Sequence, residues 1–271
     1  MVAVHKIDSL DLPELAPYRT MRRPREHREQ GLFVAEGEKV VRRLLESDYT
    51  VRSLLLPEKW FREYESLIRS RPEPISIYLA EKKILEELIG FSMFQGVLAV
   101  GIIPAPQQLD TLIEQSPHPQ LFVAVEGLSN AENIGGMARN CAAFGVHGLL
   151  VDPASSSPFL RRAVRSSMGA IFRLPVVEGV PLTRTIPELR KRGIRCFAAH
   201  PRADSLALSR TDLSVDCCVV FGSEGQGISR PVLAACNEAV VIPMASGINS
   251  LNVVHAAAVF LYEINRQRGL G

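Results

Sequence analysis

Cysteine, lysine, aromatic side chains and long apolar runs are all scarce in this sequence, and each scarcity narrows the field. The five cysteines (Cys141, Cys196, Cys217, Cys218 and Cys236) are odd in number, form no CxxC pair and lie within apolar text. They read as reduced core thiols, not as a disulfide framework. The six histidines are scattered, with no pair at helical ligand spacing and no Cys/His cluster, so no metal is expected. The longest apolar run, Leu251 to Ile264, is interrupted by Asn252, His255 and Glu263. It is shorter than the roughly 20 residues a bilayer span needs and reads as a buried helix. The opening text, MVAVHKIDSLDLPELAPYR, has no basic stretch leading into an apolar one, which sets the expectation of a cytoplasmic protein without a membrane segment.

What is present supports ordinary buried cores: 271 residues, 46% of them hydrophobic, suit one large domain or two modest ones. The net charge of +2 says little, but only six of the 31 basic residues are lysine. Arginine's planar fork matches phosphate oxygens better than a point charge does. Arg19, Arg22, Arg23, Arg25 and Arg28 fall within ten residues, and Arg161, Arg162 and Arg165 within five. These clusters are either phosphate-attracting patches or solvated helix faces.

From Phe33 the text FVAEGEKVVRRLLES reads as a strand and then a helix with Val40, Val41, Leu44 and Leu45 on one face. Strands follow at Val51 to Leu56, Ile75 to Leu79 and Val97 to Ile103, with helices at Lys59 to Ser70 and Glu81 to Gly90. This gives a first domain over 1–104. Residues 105–119, rich in Pro, Gln, Ser and His around the short amphipathic piece DTLIEQ, read as a linker. Over 120–271, strand text recurs at Leu121 to Glu126, Gly148 to Asp152, Ile171 to Val177, Ile194 to Ala199, Cys217 to Phe221 and Ala239 to Pro243. Helical text lies between, at Gly136 to Phe144, Pro158 to Met168, Pro187 to Arg192, Arg230 to Cys236 and Ser250 to Arg266. Such alternation argues an α/β fold with a mostly parallel sheet covered on both faces.

In an open parallel sheet, ligands bind beyond the carboxyl ends of the strands. Three loops there carry informative residues. In EGLSNAENIGGMARN, Asn133 is expected in the loop and Arg139 on the first turns of the following helix, unless this is an ordinary turn with a surface arginine. In VVFGSEGQGIS, the glycines let backbone amides approach a ligand, and Glu224 suits a cationic neighbour, either a sulfonium or Arg139. An exposed glycine-rich turn is the plainer alternative. In VVIPMASGINSLNVVH, Ser250 is the expected N-cap of a long helix, a role that leaves Asn252 unexplained. His255 reads as a core histidine.

In order and spacing these segments resemble the three motifs of the SpoU (TrmH-like) family of RNA 2′-O-ribose methyltransferases, within the SPOUT superfamily. FLRRAVRSSMGAIFRLPV adds a fourth stretch. FVAEGEKVVRRLL and FSMFQGVLAV look like that family's ribosomal-protein-like substrate-binding domain. The resemblance implies a deep carboxyl-terminal trefoil knot that forms the cofactor pocket, a homodimer, S-adenosylmethionine as cofactor and RNA as substrate, ribosomal sooner than transfer RNA. Carried over, Asn133, Arg139, Glu224, Ser250 and Asn252 are the catalytic positions. The cofactor would rest around Gly222, Ser223, Gly225, Gly227, Ile242, Met244 and Leu251. Arg19, Arg22, Arg23, Arg25, Arg28, Arg162 and Arg165 would meet RNA. Two positions depart from the pattern: AEN stands where Asp-Pro-x-Asn is usual, and His255 where small residues are common. A non-catalytic RNA-binding or ribosome-assembly protein that kept the fold is the alternative. A dinucleotide-dependent oxidoreductase, suggested by Gly135, Gly136 and Asp152, lacks GxGxxG.

Overall fold

The computed structural model describes residues 2–89, 96–201, 205–247 and 250–270. The chain divides into two compact units, Met1–Ala105 with Pro158–Arg173, and Pro106–Ser157 with Leu174–Gly271. In chain order the elements begin with β1 (Val2–Lys6), α1 (Ala16–Arg19), α2 (Pro24–Glu29), β2 (Leu32–Glu36), α3 (Glu38–Leu45), β3 (Val51–Leu56), α4 (Glu58–Arg69), β4 (Ile75–Leu79), α5 (Lys82–Ile89) and β5 (Leu98–Ile102). They continue with α6 (Leu109–Gln115), β6 (Leu121–Val125), α7 (Ala131–Ala143), β7 (Gly148–Val151) and α8 (Arg161–Ser166). Last come β8 (Val176–Glu178), α9 (Leu182–Lys191), β9 (Arg195–Ala199), β10 (Leu206–Ala207), β11 (Cys217–Phe221), α10 (Arg230–Ala235), β12 (Glu238–Val241) and α11 (Val253–Gln267).

In the first unit the described strands form a sheet in the order β1-β4-β3-β5-β2. β1, β4 and β3 are mutually parallel, and β5 runs antiparallel to both β3 and β2. Leu15, Tyr18, Val34, Leu55 and Leu98 fill one core, where the Tyr18 hydroxyl is satisfied by Ser53 Oγ at 2.8 Å. Residues 158–173 pack here although they lie within the sequence span 120–271. Phe159 and Phe172 bring their rings to 6.0 and 5.6 Å from that of Phe33. The Glu36 carboxylate, 2% exposed, accepts from Arg161 and, at 3.1 Å, from Arg165. A buried carboxylate is tolerable only with such compensation. Residues 91–95 of the FSMFQGVLAV stretch lie outside the described residues.

In the second unit the described strands form a parallel sheet in the order β10-β12-β9-β11-β6-β7-β8. Its central strands, LFVAV, GLLV and CCVVF, are buried along their whole length. Near-continuous apolar text is what a sheet covered on both faces requires. Because side chains alternate, Phe122, Ala124, Cys218 and Val220 meet α9 and α10 through Ile186 and Val232. Each such fully buried large side chain contributes about 1.5–3 kcal/mol. The opposite face meets α7 and α11, with the Phe221 and Phe260 rings 5.6 Å apart.

Several expectations change. The stretch expected to link the domains contains α6, whose Leu112 and Ile113 are buried in the second unit's core. The strand expected at 171–177 is a 3₁₀ turn over Ala170–Arg173, with a strand only at Val176–Glu178. Pro187 lies inside α9 and does not open it. The Leu251 to Ile264 run is not a fully buried helix: Leu251, Val259 and Tyr262 are exposed. His255 is exposed as well, not a core histidine. β1 and β10 were not expected from the sequence. β1 shows solvent nearly everywhere along its length, and β10 has two residues, so neither leaves a periodic pattern.

Candidate active site

Each of the three selected loops leaves the carboxyl end of a strand of the parallel sheet. After β6, Asn130 is the N-cap of α7, its side chain accepting from Glu132 N at 2.8 Å and Asn133 N at 3.3 Å. α7 therefore begins at Ala131, and Asn133 sits in its first turn and not in the loop. Gly136, within the helix, serves close packing: a Cβ there would lie 2.9 Å from Val254 Cγ1 of α11. After β11, Ser223 and Gly227 exchange backbone hydrogen bonds at 3.2 and 2.9 Å, and Gly227 takes φ +67. Gly222 admits no side chain, since a Cβ would meet the Gly227 carbonyl carbon at 2.1 Å. This tight hairpin holds Glu224 at its tip, exposed. After β12, the N-cap of α11 is Asn252, which accepts from Val254 N at 2.9 Å. Ser250, the expected cap, is exposed two residues earlier. That corrects the sequence reading and supplies the missing explanation for Asn252.

Side chains stitch the three loops together. Asn252 Nδ2 donates to Asn133 Oδ1 at 3.3 Å, and Asn133 Nδ2 donates to Glu224 Oε1. Arg139 is not part of this chain. It is exposed, six residues along α7 from Asn133, which is about 9 Å of helix rise and roughly 120° of rotation. It forms no ion pair with a described residue, and the expected Glu224–Arg139 pair is replaced by the Asn133–Glu224 hydrogen bond.

Beyond the carboxyl ends of β9, β11 and β12 opens a cavity of about 290 Å³. Of the positions carried over for a cofactor, Gly222, Gly225, Gly227, Ile242, Met244 and Leu251 line it, and Ser250 does too. Ser223 is not among its lining residues. Among the described residues, no Asp, Glu, Lys or Arg lines it. The walls thus suit a flat, largely apolar moiety read by backbone groups. The loop after β9, with His200 and Pro201, forms a wall that sequence reasoning missed. The signal was there, in a strand end at Ala199.

Two acids support the loops: Glu126, which the sequence reading missed, and Asp152, which it weighed only for the dinucleotide alternative. Glu126, next after β6, accepts from Ser229 Oγ at 2.7 Å and from Ser229 N at 2.8 Å. Ser229 caps α10, so Glu126 fixes the exit of the glycine loop. Asp152 accepts from Gly127 N at 3.0 Å and from Ser155 Oγ. That structural role answers the dinucleotide alternative, in which Asp152 would hold a ribose.

The arginines differ in freedom. Arg19 donates to the carbonyls of Leu10 and, at 2.9 Å, Leu12. Arg23 pairs with Glu26 at 3.1 Å and Arg165 with Glu36. Arg22 is exposed. Arg25, Arg28 and Arg162 are exposed and unpaired among the described residues.

Comparison with known proteins gives a consistent picture. The model of the SpoU rRNA Methylase family matches residues 120–262. An "uncharacterized tRNA/rRNA methyltransferase" of Mycobacterium avium is 38% identical over 208 residues, 75% of this chain and 66% of the relative, just under two thirds of its length. The SpoU methyltransferase AviRb from Streptomyces viridochromogenes, in complex with the cofactor AdoMet, superposes with a TM-score of 0.81 at 28% identity, over 96% of this chain and all of that one. An AdoMet-bound rRNA methyltransferase from Sinorhizobium meliloti shares the fold, with a TM-score of 0.82 over 97% of this chain and 98% of that one, at 21% identity.

Proposed function

This chain belongs to the SpoU rRNA methylase family, and from that premise we propose that it uses S-adenosylmethionine to methylate a ribose 2′-hydroxyl of RNA, ribosomal in preference to transfer RNA. The observation that carries this reading is the convergence of three loops: one hydrogen-bonded chain joins Asn252, Asn133 and Glu224, and two of those loops, after β11 and β12, also border an apolar cavity. The cavity fits the cofactor chemically. Its described walls carry no charged side chain and accept an adenosine moiety, and Gly222 and Gly227 present backbone to it. Gly222, Gly225, Gly227, Ile242, Met244 and Leu251 would hold the group, which supplies an electrophilic methyl when bound.

The chain's own residues then position and stabilise. A displacement at the methyl carbon needs alignment of the nucleophilic oxygen above all, and that is the work of a rigid loop set. Asn133, held from both sides by Asn252 and Glu224, cannot swing, so its amide is a fixed hydrogen-bonding element for the ribose. Arg139 offers a fork of N–H donors and no acceptor, which suits charge stabilisation and not proton abstraction. Its guanidinium, exposed and without an ion pair among the described residues, binds the RNA phosphate beside the target and stabilises negative charge developing on the 2′-oxygen. Ser250, at the cavity rim, hydrogen-bonds to the bound ligand or to the ribose. The first unit acts as the RNA-selecting domain, with Arg22, Arg25, Arg28 and Arg162 as phosphate contacts. The exposed Leu251, Val259 and Tyr262 of the α11 region form the face on which a second copy packs, as a homodimer requires. A trefoil knot in the second unit goes with this family assignment.

Calorimetric titration with S-adenosylmethionine, followed by tritium transfer from the labelled cofactor into separate rRNA and tRNA pools, tests the reading. Binding with label retained in RNA and lost in Arg139→Ala is expected. Absence of cofactor binding overturns it in favour of a non-catalytic RNA-binding protein.

A further inference from the structure

Five of the six lysines lie in the first unit, at Lys6, Lys39, Lys59, Lys82 and Lys83. The strand register brings them to one end of its sheet. Lys6 pairs with Leu79 and Leu79 with Leu56 across the parallel strands, while Leu98 pairs with Leu55 and with Glu36. The carboxyl ends of β1, β4, β3 and β2 therefore share one edge of the sheet. Lys6 ends β1, and Lys39, Lys59 and Lys82–Lys83 open the helices that follow β2, β3 and β4. All five are exposed. Lys82 pairs with Glu86 at 3.4 Å, whereas Lys6, Lys39, Lys59 and Lys83 form no ion pair among the described residues. The acids at this end are Asp8, Glu36, Glu38, Glu58 and Glu81; Glu36 is buried and paired with Arg161 and Arg165, and Glu58 is taken by Arg62 at 2.7 Å. Trp60, the chain's only tryptophan, stands half-buried at the same end, with Lys59 Nζ 5.4 Å from its ring centroid.

We infer that this lysine-rimmed sheet end, with Trp60, is the surface on which the first unit docks the phosphodiester backbone of RNA and stacks an unpaired base. The inference rests on the RNA-directed reading above. Lysine ammonium groups on flexible stems follow a backbone without demanding one geometry. In the Arg19 to Arg28 stretch, Arg19 and Arg23 are already engaged, so the lysine end adds to the phosphate contacts that Arg25 and Arg28 can make. An exposed cation over an aromatic ring is held more weakly than a stacked base. An arriving base therefore displaces Lys59 from Trp60 and frees its ammonium for a phosphate.

The single tryptophan is its own reporter. Titration of the full-length protein with deproteinised ribosomal RNA is expected to quench tryptophan emission, with the quench reversed by salt. Lys39→Gln/Lys59→Gln/Lys83→Gln is expected to weaken RNA affinity at least about tenfold and to reduce the slope of log affinity against log salt by about 2–3. Lys191→Gln, in the second unit, changes neither. Trp60→Ala weakens binding roughly tenfold while Trp60→Phe, which keeps a ring, stays within a few-fold of the parent. Melting curves verify that each variant folds, and cofactor titration separates the two readings. Parent-like affinity and salt slope in the folded triple variant overturn the docking surface while leaving the methyltransferase reading intact. RNA docking lost in the triple variant supports the surface even if the cofactor does not bind.

Discussion

Gly222 shows how a single residue can be settled by packing alone. Its missing Cβ is occupied by the Gly227 carbonyl carbon, and backbone cannot yield as a side-chain tip can. Gly222→Ala is therefore expected to cost about 1–3 kcal/mol of stability and to abolish measurable cofactor binding, read by thermal melting and calorimetry. Arg139 makes the opposite case, because it is exposed and forms no ion pair with a described residue. Arg139→Lys keeps the charge and loses the bidentate fork. Methyl transfer should fall about 10- to 100-fold, with cofactor affinity and melting temperature unchanged; a variant with nearly full rate removes the bidentate role. Both positions were legible in the sequence as members of spaced motifs. Glu126 was not, because an acid at a strand end looks the same whether it faces water or locks Ser229.

At the scale of elements, α11 joins capping to the site. Asn252 Oδ1 caps the helix while its Nδ2 holds Asn133, so one amide does two jobs that substitution can separate. Asn252→Asp keeps the acceptor and loses the donor. It is expected to keep most of the stability and to lose transfer rate, whereas Asn252→Ala also costs about 1 kcal/mol in a urea titration. Sequence reasoning chose Ser250 as the cap because serine is as good a cap as asparagine, and the choice between them depends on where β12 delivers the chain. The same limit explains Asn133. Text before GG reads as a turn, yet the two glycines lie inside α7, where Val254 of α11 presses against Gly136.

At the scale of the whole molecule, acid stability reports how the second unit is tied together. Asp216 is partly buried, which works against its ionisation, but Gln120 N–H at 2.6 Å, His118 at 2.7 Å and the Arg268 charge outweigh that and hold its carboxyl below the usual range. Its folded pKa lies under the unfolded one, so the stabilisation is complete above the unfolded value, about 3.9, and is lost as pH falls through the folded one. Asp216→Asn should lower stability at pH 6 and flatten the loss below about pH 4, followed by urea titrations across that range. The sequence by itself determined the α/β class, the apolar central strands and the three loops that carry chemistry. Those depend on composition and local periodicity, which a chain carries wherever it goes. Only the tertiary structure decided that residues 158–173 join the first unit through Glu36 and Phe33, that Asn133 bonds to Glu224 and Asn252, and that five dispersed lysines reach one sheet end. Those are pairings between residues far apart in sequence, fixed by strand order and register, and no local pattern encodes them.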